Sequence, residues 1–374
     1  MAASRPILLF FVTEDYYFVS HRLPVALAAK RAGYDVRVAT QVRHSGDVIE
    51  HAGLRLIPFK NARSSLNPFT ELLTLFRLIR LYRRERPSIV HHVALKPVLY
   101  GTIAARLAGT PRVINAVAGM GWLFTSGAGL ARWLKPLVRR ALRPVLKSGV
   151  ALVQNPDDAR LLEQFGVPKS RIRLIAGSGV DLQLFHPHAH SNEVPIVVLP
   201  ARLLWDKGVG DFVAAARALR RQGIKARFVL AGEPDPANPA TIHPDQVSSW
   251  AHEGVIENRG WVVDMPALLA ESDVVCLPSY REGLPKSLIE AAAAGRPIVT
   301  TDVPGCREVV RHGDNGLLVP AGNIDALAHA LESLIENPDL RSRMGARGRI
   351  RAEQEFGLDA VLQQTLALYR ETVA

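Results

Sequence analysis

The clearest chemistry in the sequence lies in one run: Ser279-Tyr280-Arg281-Glu282-Gly283-Leu284-Pro285-Lys286-Ser287-Leu288-Ile289-Glu290-Ala291. The apolar stretch Val274–Leu277 just before it predicts a buried strand. Gly283 and Pro285 mark a turn, and the residues that follow suit a helix. In an open parallel sheet, ligands bind at the carboxyl ends of strands. A helix starting at Gly283–Ser287 offers unpaired backbone N–H groups and the positive end of its dipole, an anion site. Pro285 fits a first helical turn, where its missing N–H costs nothing. Glu282 precedes the helix and Glu290 lies about two turns into it. A carboxylate only accepts hydrogen bonds, so each can grip a diol. The same pattern also describes a capping carboxylate and a solvated helix glutamate, and spacing alone does not separate the readings.

A second segment has the same form. Pro200-Ala201-Arg202-Leu203-Leu204-Trp205-Asp206-Lys207-Gly208-Val209 follows a predicted strand at Ile196–Pro200 and opens a predicted helix at Val209–Gln222. Arg202 can fork onto two phosphate oxygens, and Lys207 adds a point charge. Asp206 is placed to cap the helix. The plainer reading is two solvated cations in a loop. Both segments gain weight from sitting at strand ends in the same half of the chain.

These segments need a sheet to hold them. The chain has 374 residues, 48% hydrophobic and 22% charged, a globular composition that suggests two domains. Short apolar runs alternate with amphipathic stretches. Strands are predicted at Ile7–Val12, Val36–Ala39, Leu54–Pro58, Ile89–His92, Val113–Val117 and Val150–Gln154. Helices are predicted at His21–Arg31, Phe69–Arg84, Val98–Leu107, Leu130–Lys147 and Pro156–Phe165. Gly177–His190 reads as a linker. The alternation then restarts with strands at Arg227–Ala231, Val255–Arg259 and Ile298–Thr301 and helices at Met265–Glu271, Lys286–Ala294 and Asp325–Asn337. Such alternation predicts two α/β, doubly wound parallel-sheet domains. A last helix, about Leu358–Tyr369, has no strand after it. Cys276 and Cys306 form neither a disulfide framework nor a zinc signature, which favours a reducing compartment. No His/Cys cluster has ligand spacing and no Asp-x-Asp occurs, so neither a metal site nor a resident cofactor is expected.

Arg202…Lys207-Gly208, with Glu282 and Glu290 eight apart, resembles the donor half of glycosyltransferase family 4. Asp273–Ser279, Gly295-Arg296-Pro297-Ile298-Val299, Gly313–Val319 and the linker Gly179-Val180-Asp181…Phe185…Pro187 extend the resemblance over nearly the whole chain. It implies the GT-B fold: two Rossmann-like domains facing a cleft, with the last helix crossing back to the first. The domains would be 1–186, with the C-terminal helix 358–374, and 187–357. It also implies retention of anomeric configuration, a nucleotide sugar donor and no metal. Arg202, Lys207 and Glu282 would be the catalytic residues. Gly283, Leu284, Pro285, Lys286, Ser287 and Glu290 would bind the donor, with Arg202 and Lys207 on its diphosphate, Glu290 on the ribose and Glu282 by the sugar.

The N-terminal half departs from the family pattern. The turn after the first strand, Thr13–Arg22, has no glycine, and the histidine expected after a central strand is replaced by Asn115–Gly121. His21, Lys96, Asn115 and the Gly119–Gly121 backbone are the acceptor-side candidates. Of His91 and His92, at a strand end, one is expected in a cleft and the other in packing. Arg63–Phe69, Ala201–Gly208 and Leu277–Gly283 look closest to bacterial enzymes that add N-acetylhexosamine to undecaprenyl diphosphate-linked sugars. That resemblance implies a UDP-sugar, a lipid-linked saccharide acceptor, and a place in surface polysaccharide (lipopolysaccharide) or glycan assembly.

Net charge is +11 and unevenly placed. Residues 1–190 carry 27 Lys+Arg against 11 Asp+Glu, the remainder 19 against 24. The basic segment Arg132–Leu142 and Arg77, Arg80, Arg83, Arg84 and Arg86 suggest an anionic membrane partner. No run of 18 apolar residues occurs, so the expected location is cytoplasmic, peripheral on the inner face of the cytoplasmic membrane. Three alternatives compete: a nucleotide-sugar epimerase of the same fold, a nucleic-acid-binding protein suggested by the basic pI, and an inactive membrane scaffold. The second lacks a zinc finger, stacking motif or basic tail, so no nucleic acid is expected. Nothing in the sequence speaks to oligomeric state.

Overall fold

The computed structural model describes residues 5–60, 67–117, 143–188 and 192–373. The predicted basic segment Arg132–Leu142, the Gly119–Gly121 backbone and most of Arg63–Phe69 lie outside the described residues. The chain forms two compact units, Met1–Ser178 with Asp359–Ala374, and Gly179–Leu358.

Among the described residues, the first unit has seven parallel strands in the order β3-β2-β1-β4-β5-β6-β7. They are β1 (Ile7–Glu14), β2 (Asp35–Gln41), β3 (Arg55–Pro58), β4 (Ile89–Val93), β5 (Val113–Ala116), β6 (Val150–Val153) and β7 (Ile172–Leu174). Helices α1 (Asp15–His21), α2 (Leu23–Arg31), α3 (Gly46–His51), α4 (Pro68–Glu85), α5 (Leu95–Ala108) and α6 (Pro156–Gln164) cover it. The interior strands are apolar almost throughout because both faces are buried, as a parallel sheet requires. Leu8, Phe10 and Val12 pack to one side, Leu9 and Phe11 to the other.

The second unit repeats the plan as β10-β9-β8-β11-β12-β13. Its strands are β8 (Ile196–Pro200), β9 (Arg227–Ala231), β10 (Glu257–Asn258), β11 (Val274–Leu277), β12 (Ile298–Thr301) and β13 (Gly316–Val319). Helices α7 (Val209–Arg221), α8 (Pro244–His252), α9 (Met265–Glu271), α10 (Lys286–Ala293), α11 (Cys306–Val309), α12 (Ile324–Glu336) and α13 (Pro338–Arg351) surround it. The final helix, α14 (Leu358–Val373), buries Val361, Leu368 and Tyr369 in the first unit's core.

Some expectations are corrected. The helix expected at His21–Arg31 starts at Leu23, with Pro24 in its first turn, and a separate unexpected helix, α1, precedes it. His21 ends α1 and starts nothing. Asp206 does not cap α7, whose N-cap is Gly208; the Asp206 carbonyl instead accepts from Tyr280 N (3.0 Å) and Ser279 Oγ (3.0 Å). Helix α13 escapes a search for apolar periodicity. Gly345 and Gly348 let it approach α10 and its C-terminal turn, so small residues stand where an apolar stripe is sought.

Candidate active site

Both sheets reverse their strand order once, between β1 and β4 in the first unit and between β8 and β11 in the second. At such a point the connections leave in opposite directions, and a crevice opens at the carboxyl ends of the two strands. In the second unit, β8 runs into Arg202–Lys207 and β11 into Ser279–Ser287. The reversal therefore brings together the two segments that the sequence singles out. Gly208 makes their approach possible: its φ is +70°, and a Cβ there would lie 2.0 Å from the Pro278 carbonyl oxygen. Gly305, at φ +83°, does the same on the other side, where a Cβ would strike the backbone of Glu282 and Gly283. The sequence places Gly305 in a turn before Cys306 but gives no sign that the turn packs on Glu282 and Gly283.

The charged groups pair across this edge. Lys207 Nζ lies 2.5 Å from Glu282 Oε1, with both side chains largely buried. Arg202 donates to Asp235 at 2.6 Å, a partner the sequence did not suggest. Lys286 reaches Glu290 at 2.8 Å, one turn along α10. Glu290 is 6% exposed, and burial raises its carboxyl above the ordinary range although Lys286 opposes the shift. Helix α10 has Pro285 as its N-cap and no side-chain cap, so its first N–H groups have no partner within the helix. Cys306 lies beneath, fully buried, its thiol pushed up to about 12 by burial and then by Glu282, which leaves it no nucleophile. The Tyr280 hydroxyl donates to Asp211 at 3.0 Å. Three cation–carboxylate pairs and an open helix start can receive an anion and hydroxyl groups together. Among the described residues, no group of three His, Cys, Asp or Glu is placed to hold a metal.

The acceptor-side candidates are dispersed. His21 bonds Ser20 Oγ (2.8 Å) and stacks on Tyr17 at 4.2 Å. Lys96 pairs with Glu71 of α4 at 2.8 Å. Asn115 is fully buried and accepts from His92 Nδ1 (2.8 Å) and Thr102 Oγ1 (3.0 Å). The expectation that one of His91 and His92 opens to a cleft is wrong, for both are fully buried on opposite faces of β4. His92 Nε2 meets the Tyr82 hydroxyl at 3.0 Å, and His91 Nδ1 meets that of Tyr369 at 2.7 Å. Burial drives the His92 pKa down to about 4 and that of His91 well below its ordinary value. The first unit's own reversal point carries Asp15, whose buried carboxylate accepts from the backbone N–H groups of Arg43, His44 and Ser45. Opposite it stands Ala94, at φ +79°, ψ 164°, a conformation normally left to glycine. Neither residue was singled out from sequence; a buried aspartate and a strained alanine have no pattern signature.

The family model for group 1 glycosyl transferases matches residues 182–351, and that for 4-like glycosyl transferases matches residues 7–148. The two matches together span most of the chain, and the protein is a glycosyltransferase. A Campylobacter jejuni N,N'-diacetylbacillosaminyl-diphospho-undecaprenol alpha-1,3-N-acetylgalactosaminyltransferase is 27% identical over 96% of both chains. An Escherichia coli UDP-Gal:alpha-D-GlcNAc-diphosphoundecaprenol alpha-1,3-galactosyltransferase is 26% identical over 70% of both. Sucrose-phosphate synthase from Thermosynechococcus elongatus shares the fold at a TM-score of 0.81, with 21% identity over 98% of this chain and 99% of that one. The glycosyltransferase thus has the GT-B fold, with the family's group 1 match lying on the unit that carries the paired cations.

Proposed function

We propose that this glycosyltransferase moves a hexosyl or N-acetylhexosaminyl group from a UDP-sugar to a polyprenyl diphosphate-linked saccharide, with retention and without a metal. The lipid-linked acceptor is supported by two relatives whose names carry diphospho-undecaprenol acceptors, one of them matching nearly the whole length. The observation that carries the donor reading is the strand reversal that sets Arg202, Lys207 and the uncapped start of α10 at one edge.

In this reading the acceptor hydroxyl attacks the anomeric carbon on the face the diphosphate leaves. The C–O bond to phosphate breaks, the new glycosidic bond forms, and the departing phosphate oxygen takes the hydroxyl proton. Negative charge grows on the leaving group as its bond breaks. Lys207, Arg202 and the α10 N–H groups stabilise that charge, each such donor typically contributing about 2.7–4 kcal/mol. Two cations and a helix terminus then replace a metal. Glu282 orients Lys207 and faces the sugar. The buried Glu290 accepts from the ribose hydroxyls, which solvate a carboxylate that is otherwise poorly solvated. The protein would work at the inner face of the cytoplasmic membrane, where such acceptors are held; among the described residues no helix is long and apolar enough to cross one.

A thermal-shift panel of nucleotide diphosphates and sugars, with and without EDTA, tests the donor side. A ligand at 100 times its dissociation constant adds about 2.7 kcal/mol to stability. The expected result is stabilisation by a uridine diphosphate sugar that EDTA does not change. Stabilisation lost in EDTA would overturn the metal-free reading, and no response to any nucleotide would overturn the donor site. Transfer to a polyprenyl diphosphate saccharide, with NMR of the new anomeric centre, tests acceptor and retention.

A further inference from the structure

Helix α4 turns Thr74, Leu78, Leu81 and Tyr82 into the first unit. Its opposite side is not the polar surface expected of such a helix. Phe69 is 84% exposed, Leu72 66%, Leu73 46% and Phe76 62%. These positions recur at i, i+3, i+4 and i+7 and form one stripe. Single exposed apolar residues are ordinary, whereas a contiguous set marks an interaction surface.

At about 100° per residue, the same arc continues through Arg77, Arg80, Arg83 and Arg84, all exposed. One face of the helix therefore changes from apolar to cationic halfway along. At 1.5 Å per residue, each half is roughly 10 Å long. That length is comparable with the roughly 5–10 Å to which interfacial helices bury their apolar face. The helix's acids are kept off this face. Glu71 pairs with Lys96, and the buried Glu85 with Arg37 at 2.5 Å. Arg84 also reaches Glu85, but Arg77 and Arg80 have no ion pair among the described residues.

The geometry points to a tilted membrane wedge: the N-terminal half of α4 enters an anionic bilayer surface, and its arginines stop at the headgroups. The charge of the second half selects a lipid surface of opposite sign as the occupant, and the order of the two halves sets the tilt. The inference deepens the lipid-linked acceptor reading, which rests on separate observations.

Flotation of the whole protein, without donor or acceptor, uses vesicles of phosphatidylcholine alone or with about one-third phosphatidylglycerol. Capture is expected on the mixed vesicles only, weakening with salt. Leu72→Ser with Phe76→Ser should lower the partition at least about tenfold at every salt concentration. Arg77→Gln with Arg80→Gln should cost roughly fivefold per arginine and remove the preference for phosphatidylglycerol. Because Cys276 and Cys306 are buried, nitroxide labels can be directed to Phe69→Cys, Phe76→Cys or Arg80→Cys. Accessibility to lipid-borne quencher should fall in that order. Failure of the wild type to float, or equal depth at the three sites, overturns the wedge. So does unchanged capture of the Leu72/Phe76 variant accompanied by a lowered melting point, because the stripe is then covered within the chain. A dimer that this variant dissolves, with flotation unaltered, overturns it in favour of a second copy. Transfer to a short-chain acceptor in detergent separates the two readings: activity there without flotation refutes only the wedge, and flotation without activity refutes only the transfer.

Discussion

The two units share a strand order and a reversal point, yet they use polar residues at and near it in opposite ways. In the second unit, Lys207, Arg202 and Lys286 are each held by a carboxylate at a partly open edge. In the first, His92, Asn115, Tyr82 and Thr102 close on one another within the core, and His91 closes on Tyr369. A polar side chain at the edge can exchange its partner for a ligand, while one sealed in the core can only be lost. Shared topology thus marks where a site can form, and exposure and pairing decide whether one does.

The largest expected effect is on the open side. Lys207→Ala should lower turnover about 100- to 1,000-fold, the range for removing one preorganised donor, while the melting point stays within a few degrees. Steady-state kinetics beside calorimetry checks it; full activity would remove Lys207 from the chemistry. On the sealed side, acid should act through His92. Its folded pKa, about 4, lies below the unfolded value near 6.5, so the unfolded chain binds the extra proton in that interval. This contribution, about 3 kcal/mol, is fully present above pH 6.5 and is lost as pH falls towards 4. Denaturant titrations across that window should show stability falling, and His92→Gln should reduce the slope, leaving the part that the equally buried His91 contributes.

Next comes Glu290→Ala, expected to weaken UDP binding about 10- to 100-fold through lost charged hydrogen bonds. Calorimetry with UDP and its 2′-deoxy analogue reads this out. The wild type should discriminate between them and the variant should not; equal loss for both would place Glu290 away from the ribose. Asn115→Ala should cost about 2 kcal/mol of stability by leaving His92 and Thr102 without their acceptor. If turnover per folded molecule falls as well, Asn115 belongs to the site and the comparison breaks. The smallest effect is expected for Asp235→Asn. Its pair with Arg202 is about one-third exposed on the arginine side, so freeing the guanidinium should tighten donor binding by less than about fivefold. A tenfold weakening would show that Asp235 positions Arg202.

What was legible in the sequence follows the same division. The strand–turn–helix around Glu282 could be read because Val274–Leu277 is uniformly apolar and Gly283 and Pro285 punctuate it. Strand β8 and its cationic loop could be read for the same reason. Partner choice could not: Asp235 lies 33 residues from Arg202. The fate of His91 and His92 was misjudged because alternation along a strand assigns sides but not what covers them. A sheet with helices on both faces buries both. Strand β7 was missed because its alternating, half-exposed pattern suits a sheet edge, and α13 because glycine replaces its apolar stripe. The departure of His21, Lys96 and Asn115 to separate partners has no sequence signal, since each is polar, local and compatible with several environments.

The crossing of α14 has a consequence for biosynthesis. The chain leaves the first unit after Ser178 and returns at Asp359, and the two crossing segments are stitched together where Val180 N donates to the Phe356 carbonyl (2.9 Å) and Leu358 N to the Val180 carbonyl (3.0 Å). A ribosome delivers all of the second unit before it delivers Tyr369, the partner that His91 needs. The half that is begun first is therefore finished last, against the usual N-terminal-first order of domain folding. Until then its core lacks the hydroxyl that His91 meets and the side chains of Val361 and Leu368, so the first unit cannot close its core before α14 is made.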